Sequence, residues 1–208
     1  MAWIRSHSFF ALRLAASLLF LCGLSPEPEF TAERATVSVS LPPAEQSRLV
    51  IWKSHYTLTV YKGDAPFKTY RAVFGRGYND GDKRIMGDRR TPEGEFYICT
   101  MNHSKRFYKF MGLSYPGLKH ASFGLQNNII STQEYMTIKK AIDERQQPPW
   151  ETKLGGAVGI HGRMLPGSAM QPLTSRLNWT DGCIALDNAD VDEIYGMVAI
   201  GTPVTILP

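Results

Sequence analysis

The sequence predicts a β-rich α+β domain that begins near residue 46 and follows an N-terminal segment outside the fold. Three observations predict it. β-branched runs of period two alternate with turn residues from Arg48 onward, only two stretches carry helical periodicity, and a short apolar run precedes residue 25. The chain has 208 residues, 43% of them hydrophobic, which is an ordinary globular composition.

At the N-terminus, Arg5, His7 and Arg13 lead into Leu14 to Leu24, 11 residues without a charge, and then Pro26, Glu27 and Pro28. A basic end, a short greasy centre and a polar exit make the layout of an export signal over residues 1–25. A membrane span needs about 20 apolar residues, so an uncleaved anchor is the lesser reading. Cys22 lies late in the run, but Leu21 stands where a lipid-modified cysteine would follow a small residue. Residues 26–45, with four prolines, read as a linker, and 46–208 as the domain. The expected location is outside the cytoplasm, in the periplasm or cell envelope. The N-terminal segment would engage the export machinery and, as an anchor, the membrane.

Within the domain, Leu49 to Trp52 and Tyr56 to Tyr61 form a hairpin pattern, with Lys62-Gly63-Asp64 as the next turn. Phe67 to Phe74 is a strand ending at Gly75. Gly94 to Met101 is another, set off by Thr91-Pro92-Glu93-Gly94. Ala157 to Ile160 and Val204 to Leu207 complete the strands. The first helix is predicted from Thr132 to about Arg145, with Ser131 and Glu134 as a capping box and Tyr135, Ile138 and Ile142 on one face. The second follows Asn188, where Asp190, Asp192 and Glu193 load the first turn and Val191, Ile194 and Tyr195 form the buried stripe. About 160 residues are enough to enclose one core.

The formal charge is +4, and removing Arg5 and Arg13 leaves 21 basic residues against 19 acidic ones, or +2. That is too weak an imbalance for a nucleic-acid partner. Gly75 to Gly81 is glycine-rich, but no helix pattern follows, so it reads as a surface loop rather than a phosphate cradle. His55, His103, His120 and His161 are scattered and no Cys-x-x-Cys occurs, so neither a metal nor another cofactor is called for.

Cys183 is the chemically suggestive residue. It lies in Thr180-Asp181-Gly182-Cys183-Ile184, a glycine-preceded turn ahead of a helix, and Ile160-His161-Gly162 ends a strand upstream. A thiol in such a turn can be lifted clear of the core, and an imidazole can draw off its proton to make a thiolate. The competing reading pairs Cys99 with Cys183 in a disulfide, as two cysteines in an oxidising compartment commonly do, and makes the chain a non-catalytic wall-binding module.

Ile160-His161-Gly162 followed by Thr180-x-Gly182-Cys183-Ile184 resembles the signature of the L,D-transpeptidase catalytic domain (YkuD type). Thr91-Pro92-Glu93-Gly94-Glu95-Phe96-Tyr97 resembles that family's Thr-Pro-x-Gly-x-Tyr/Phe turn, and Leu113-Ser114-Tyr115-Pro116 resembles a segment of its YafK-like branch. The chain departs from the pattern at Asp181, where the family commonly has histidine, and at Ala185, where it has arginine. The resemblance implies packed, mostly antiparallel strands with a few helices. It implies Cys183 as nucleophile, His161 as base and the Gly162 carbonyl as the group orienting the ring. The Cys183 and Gly182 amides would receive the oxyanion.

The implied activity is cell-wall biogenesis bearing on cell shape. The substrate would be the peptidoglycan stem tetrapeptide, cut before its terminal D-alanine, with a stem amine or the lysine of a wall-anchored lipoprotein as acceptor. Water as acceptor would make the enzyme a hydrolase, an L,D-carboxypeptidase or an endopeptidase releasing wall-bound lipoprotein, the activity that the resemblance of the Tyr115 segment to the YafK-like branch implies. Arg163, Tyr115 and Thr180 are the candidates to contact substrate, with Arg89, Arg90 and Arg176 as weaker ones. Trp179 reads as a packing anchor.

Overall fold

The computed structural model describes residues 46–104, 106–163 and 178–208. The export-signal and linker readings lie outside these, as does Arg176. Eight strands run β1 Ser47–Trp52, β2 Thr57–Lys62, β3 Ala65–Arg71, β4 Gly94–Asn102, β5 Phe110–Leu113, β6 Gly159–His161, β7 Ile184–Ala185 and β8 Pro203–Leu207. Three helices, α1 Leu118–Gln126, α2 Thr132–Asp143 and α3 Asn188–Met197, accompany them. None of the described helices is long and apolar enough to cross a membrane.

The predicted hairpin forms: β1 and β2 pair antiparallel from Ser47 with Lys62 to Trp52 with Thr57, and β3 extends it. The sheet order is β3-β2-β1-β8-β4-β5-β6-β7. Pairing is antiparallel except between β1 and β8 and between β6 and β7. Past β3, Val73 bridges Ala185 of β7, which brings the two ends of the sheet together. Leu49, Ile51, Leu58 and Val60 alternate inward from the hairpin and meet Val204 and Ile206 of β8 and Val191 and Ile194 of α3 in one core. Helix α2 starts at the anticipated capping box, in which Ser131 Oγ accepts from the Glu134 amide at 3.2 Å and Glu134 Oε2 accepts from the Ser131 amide at 2.7 Å.

Three elements escaped the sequence pattern: helix α1, strand β5 and the two-residue strand β7. Helix α1 has Gly117 as an N-cap without a side chain and buries His120, Ala121 and Gly124, so no stripe of large apolar residues marks it. Its small residues fit because Leu154 packs against Gly124, where a Cβ would lie 2.9 Å from Leu154 Cδ2. Strand β5, four residues containing a glycine, shows no clear alternation.

Candidate active site

Parallel pairing of β6 with β7 sets the site. Ile160 opposes Ile184 and His161 opposes Ala185, so Cys183, immediately before β7, comes beside the start of β6. The Cys183 thiol donates to Ala157 O at 3.6 Å and takes a hydrogen bond from the Gly159 amide. Its turn depends on Gly182, whose φ of +134° suits only glycine and whose missing side chain leaves room for Arg90 O, 2.7 Å from where a Cβ would stand. Thr180 ties the turn together: Oγ1 donates to Cys183 O at 2.7 Å and accepts from the Gly182 amide at 3.2 Å.

His161 ends β6 and is fully buried. Nδ1–H donates to Gly162 O at 2.6 Å, so the lone pair of the neutral ring sits on Nε2, which has no hydrogen-bond partner among the described residues. Phe107 stacks on the ring at 3.9 Å and 21°, and Trp179 meets it edge-on at 5.7 Å. Both His161 and Cys183 line a cleft of about 810 Å³. Desolvation pushes the Cys183 thiol up to about 11 and brings the His161 imidazole down to about 4. Both shifts favour the uncharged forms, the thiol with its proton and the neutral imidazole, over an ion pair. The Cys99–Cys183 bridge does not form either. Both cysteines are free, and Cys99 donates to Gly112 O at 3.4 Å.

Two of the three expected substrate contacts, Arg163 and Tyr115, do not line the cleft, and the third, Thr180, does. Arg163 is turned away from the cleft: its Nε donates to Asp187 Oδ1 at 2.6 Å and its amide to Asn188 Oδ1 at 2.8 Å, at the start of α3. Tyr115 is fully buried beneath the cleft with its hydroxyl on Leu154 O at 3.0 Å. Thr180 borders the cleft, but its hydroxyl is committed to the Cys183 turn as above. The same hydroxyl engages the Gly182 amide, the other expected oxyanion donor beside the Cys183 amide.

The loop read as plain surface instead packs under the Cys183 turn. Gly75 bridges Thr180, the Arg76 amide donates to Thr180 O at 3.0 Å, and a Cβ on Gly75 would lie 3.0 Å from Gly182 Cα. Arg76, Lys83, Arg89 and Arg106 line the cleft with a single acid, Asp181, among the described lining residues. Arg76 pairs with Asp181, and buried Lys83 pairs with Asp88 at 2.7 Å. Arg89 was foreseen. Arg90 instead reaches Asp82 O at 3.4 Å, and the other three cations and Phe107 carry no local signal that would have singled them out. Ala185 is buried within β7 and supplies no polar group.

No individual curated protein matches the sequence significantly. Several solved structures are similar to this one. A point mutant of the helical cell shape determining protein Pgp2 from Campylobacter jejuni is 20% identical with a TM-score of 0.50, covering 78% of this chain and 48% of that one. Bd1075 from Bdellovibrio bacteriovorus is 18% identical with a TM-score of 0.47, covering 80% and 53%. An L,D-transpeptidase from Xylanimonas cellulosilytica is 14% identical with a TM-score of 0.43, covering 79% and 61%. The chain thus spans about half to three-fifths of the length of these proteins. The family model of the L,D-transpeptidase catalytic domain, YkuD, matches residues 46–206, the whole of the folded unit that carries Cys183 and His161. By that match the chain belongs to the YkuD family of L,D-transpeptidase catalytic domains.

Proposed function

We propose that the protein is an exported cysteine acyltransferase that works on peptidoglycan stem tetrapeptides through a Cys183 acyl-enzyme. The observation that carries this reading is the cleft shared by the Cys183 thiol and a buried imidazole whose Nδ1 is committed and whose Nε2 is free. Rotation of the thiol off Ala157 O brings its proton to Nε2 as the sulfur attacks the carbonyl of the third stem residue. The Cys183 amide receives the oxyanion, a contribution of about 3 to 4 kcal/mol for such a donor. Collapse breaks the amide bond, and His161 returns the proton to the departing D-alanine amine. His161 then takes a proton from the incoming amine, which displaces the sulfur. A stem amine yields a crosslink, and a lysine of a wall-anchored lipoprotein yields an attached protein.

The cationic wall suits a stem peptide that carries several carboxylates. Export rests on the Arg5-to-Pro28 layout. The hydrolytic alternative drew on the segment around Tyr115, which lies buried and selects no acceptor, so transfer is the reading carried forward.

The test is to incubate the full chain with a disaccharide tetrapeptide and weigh the products. A dimer that has lost one D-alanine is expected. It should be absent with Cys183→Ser and His161→Gln, and a carbapenem should leave a covalent mass on Cys183. Free tripeptide as sole product would reassign the enzyme as a hydrolase, and neither D-alanine release nor adduct would overturn the proposal.

A further inference from the structure

Away from the cleft, a second cavity of about 610 Å³ opens between the start of β4, the first turn of α1 and the end of α2. Gly117 supplies no side-chain cap to α1, and bonds to Gly117 O begin at the His120 and Ala121 amides, so the Leu118 and Lys119 amides lie ahead of the helix's own ladder. His120 in the same turn is only 4% exposed. Its Nε2–H donates to Asp82 Oδ1 at 3.2 Å, while Nδ1 is buried without a partner and faces Gly117, whose Cβ position would lie 3.7 Å from it. Phe96 stacks on the ring at 5.8 Å and Tyr115 meets it edge-on at 4.8 Å, so the imidazole is held in this orientation.

The charges around this turn are nearly all accounted for. Asp82 is shared between His120 and Lys119, whose Nζ lies 2.9 Å from Oδ2, and Glu93 is tied to Lys53 at 2.6 Å. Arg145, on the opposite wall, lies over the Tyr97 ring and donates to Gly201 O at 2.9 Å, with no acid against it among the described residues. Glu95, exposed at the rim, accepts from the Thr205 hydroxyl at 2.8 Å.

We propose that this cavity is a second, non-catalytic site that binds the free carboxylate of a short peptide. One carboxylate oxygen accepts from the uncapped Leu118 and Lys119 amides at the positive end of α1. The other hydrogen-bonds to His120 at Nδ1, while the ring's Nε2 stays on Asp82. Arg145 supplies the balancing cation, and Glu95 meets an amine on the same ligand. Nothing in this site uses Cys183 or His161, so it stands or falls separately from the acyl transfer proposed above.

The probe is the dipeptide lysyl-alanine, compared with its C-terminal amide, added to the full chain with Cys183 alkylated to block the catalytic cleft. Amide NMR shifts report the location and calorimetry the affinity. Saturable binding of the free acid is expected, with shifts at Leu118 to Ala121. Binding should be at least about tenfold weaker for the amide and for His120→Gln, which keeps a donor for Asp82 and lacks a group at Nδ1. Equal binding of acid and amide, shifts confined to the Cys183 cleft, or no saturable binding would overturn the proposal. Should His120→Gln fail to fold, the acid-against-amide comparison on the unmutated chain decides alone.

Discussion

Burial of the Cys183 thiol has a kinetic signature that can be read without knowing the substrate. With the thiol at about 11, the thiolate amounts to about one molecule in ten thousand at pH 7, against about one in a hundred for an unperturbed thiol at 9.0. Alkylation of Cys183 by iodoacetamide at pH 7 should therefore run about a hundredfold slower than in the denatured chain. It should quicken about tenfold for each pH unit up to pH 10. The assay is quenched alkylation followed by mass analysis of the Cys183 peptide. Cys99, which desolvation likewise raises to about 11, is followed on its own peptide. His161→Gln should leave the Cys183 curve in place while turnover disappears, because the imidazole acts as a base during attack rather than as a resting counter-ion. A flat alkylation rate between pH 5 and 8 that vanishes in His161→Gln would refute this reasoning and establish a preformed thiolate–imidazolium pair.

Three further outcomes are expected. The His161 imidazole is buried neutral, with burial depressing it from 6.5 to about 4, so the unfolded chain takes up a proton that the folded chain refuses. Its contribution is complete above about pH 6.5 and is lost as the pH falls toward 4, to the extent of about 3 kcal/mol. Denaturant melts across that window should show a shallower acid limb in His161→Gln. Lys83→Met leaves the Asp88 carboxylate, 9% exposed, without its counter-ion and should cost about 3 to 5 kcal/mol in urea denaturation, far more than a surface pair would. Gly182→Ala forces a side chain to φ +134° and against Arg90 O. It should lower stability by about 2 to 4 kcal/mol and misplace the nucleophile, so turnover should fall even in the fraction that melts cooperatively.

Local chemistry explains which parts were legible from sequence. The hairpin of β1 and β2 and the capped start of α2 were readable because alternation and a capping box are written in adjacent residues. Cys183 and His161 were readable because the ordered motif fixes both ends of a parallel strand pair. Arg163 was misjudged because its partner, Asp187, lies 24 residues away and claims the guanidinium past the end of β6. Tyr115 was misjudged because its direction is set by Leu154, 39 residues on. The Gly75 loop reads as surface because a backbone that must approach Gly182 closely has the same composition as an ordinary turn.

Strand β8 occupies the middle of the sheet order, flanked by β1 on one side and β4 on the other. Until Pro203–Leu207 has been made, β1 and β4 have no strand between them, and the hairpin side meets the strands carrying His161 through the isolated Val73–Ala185 bridge. Pairing of Leu49 with Val204 closes a loop of more than 150 residues, a slow event by contact-order arguments. A chain of this topology stays open through nearly all of its synthesis, with unpaired edges exposed along β1 and β4, which is a hazard in a crowded compartment.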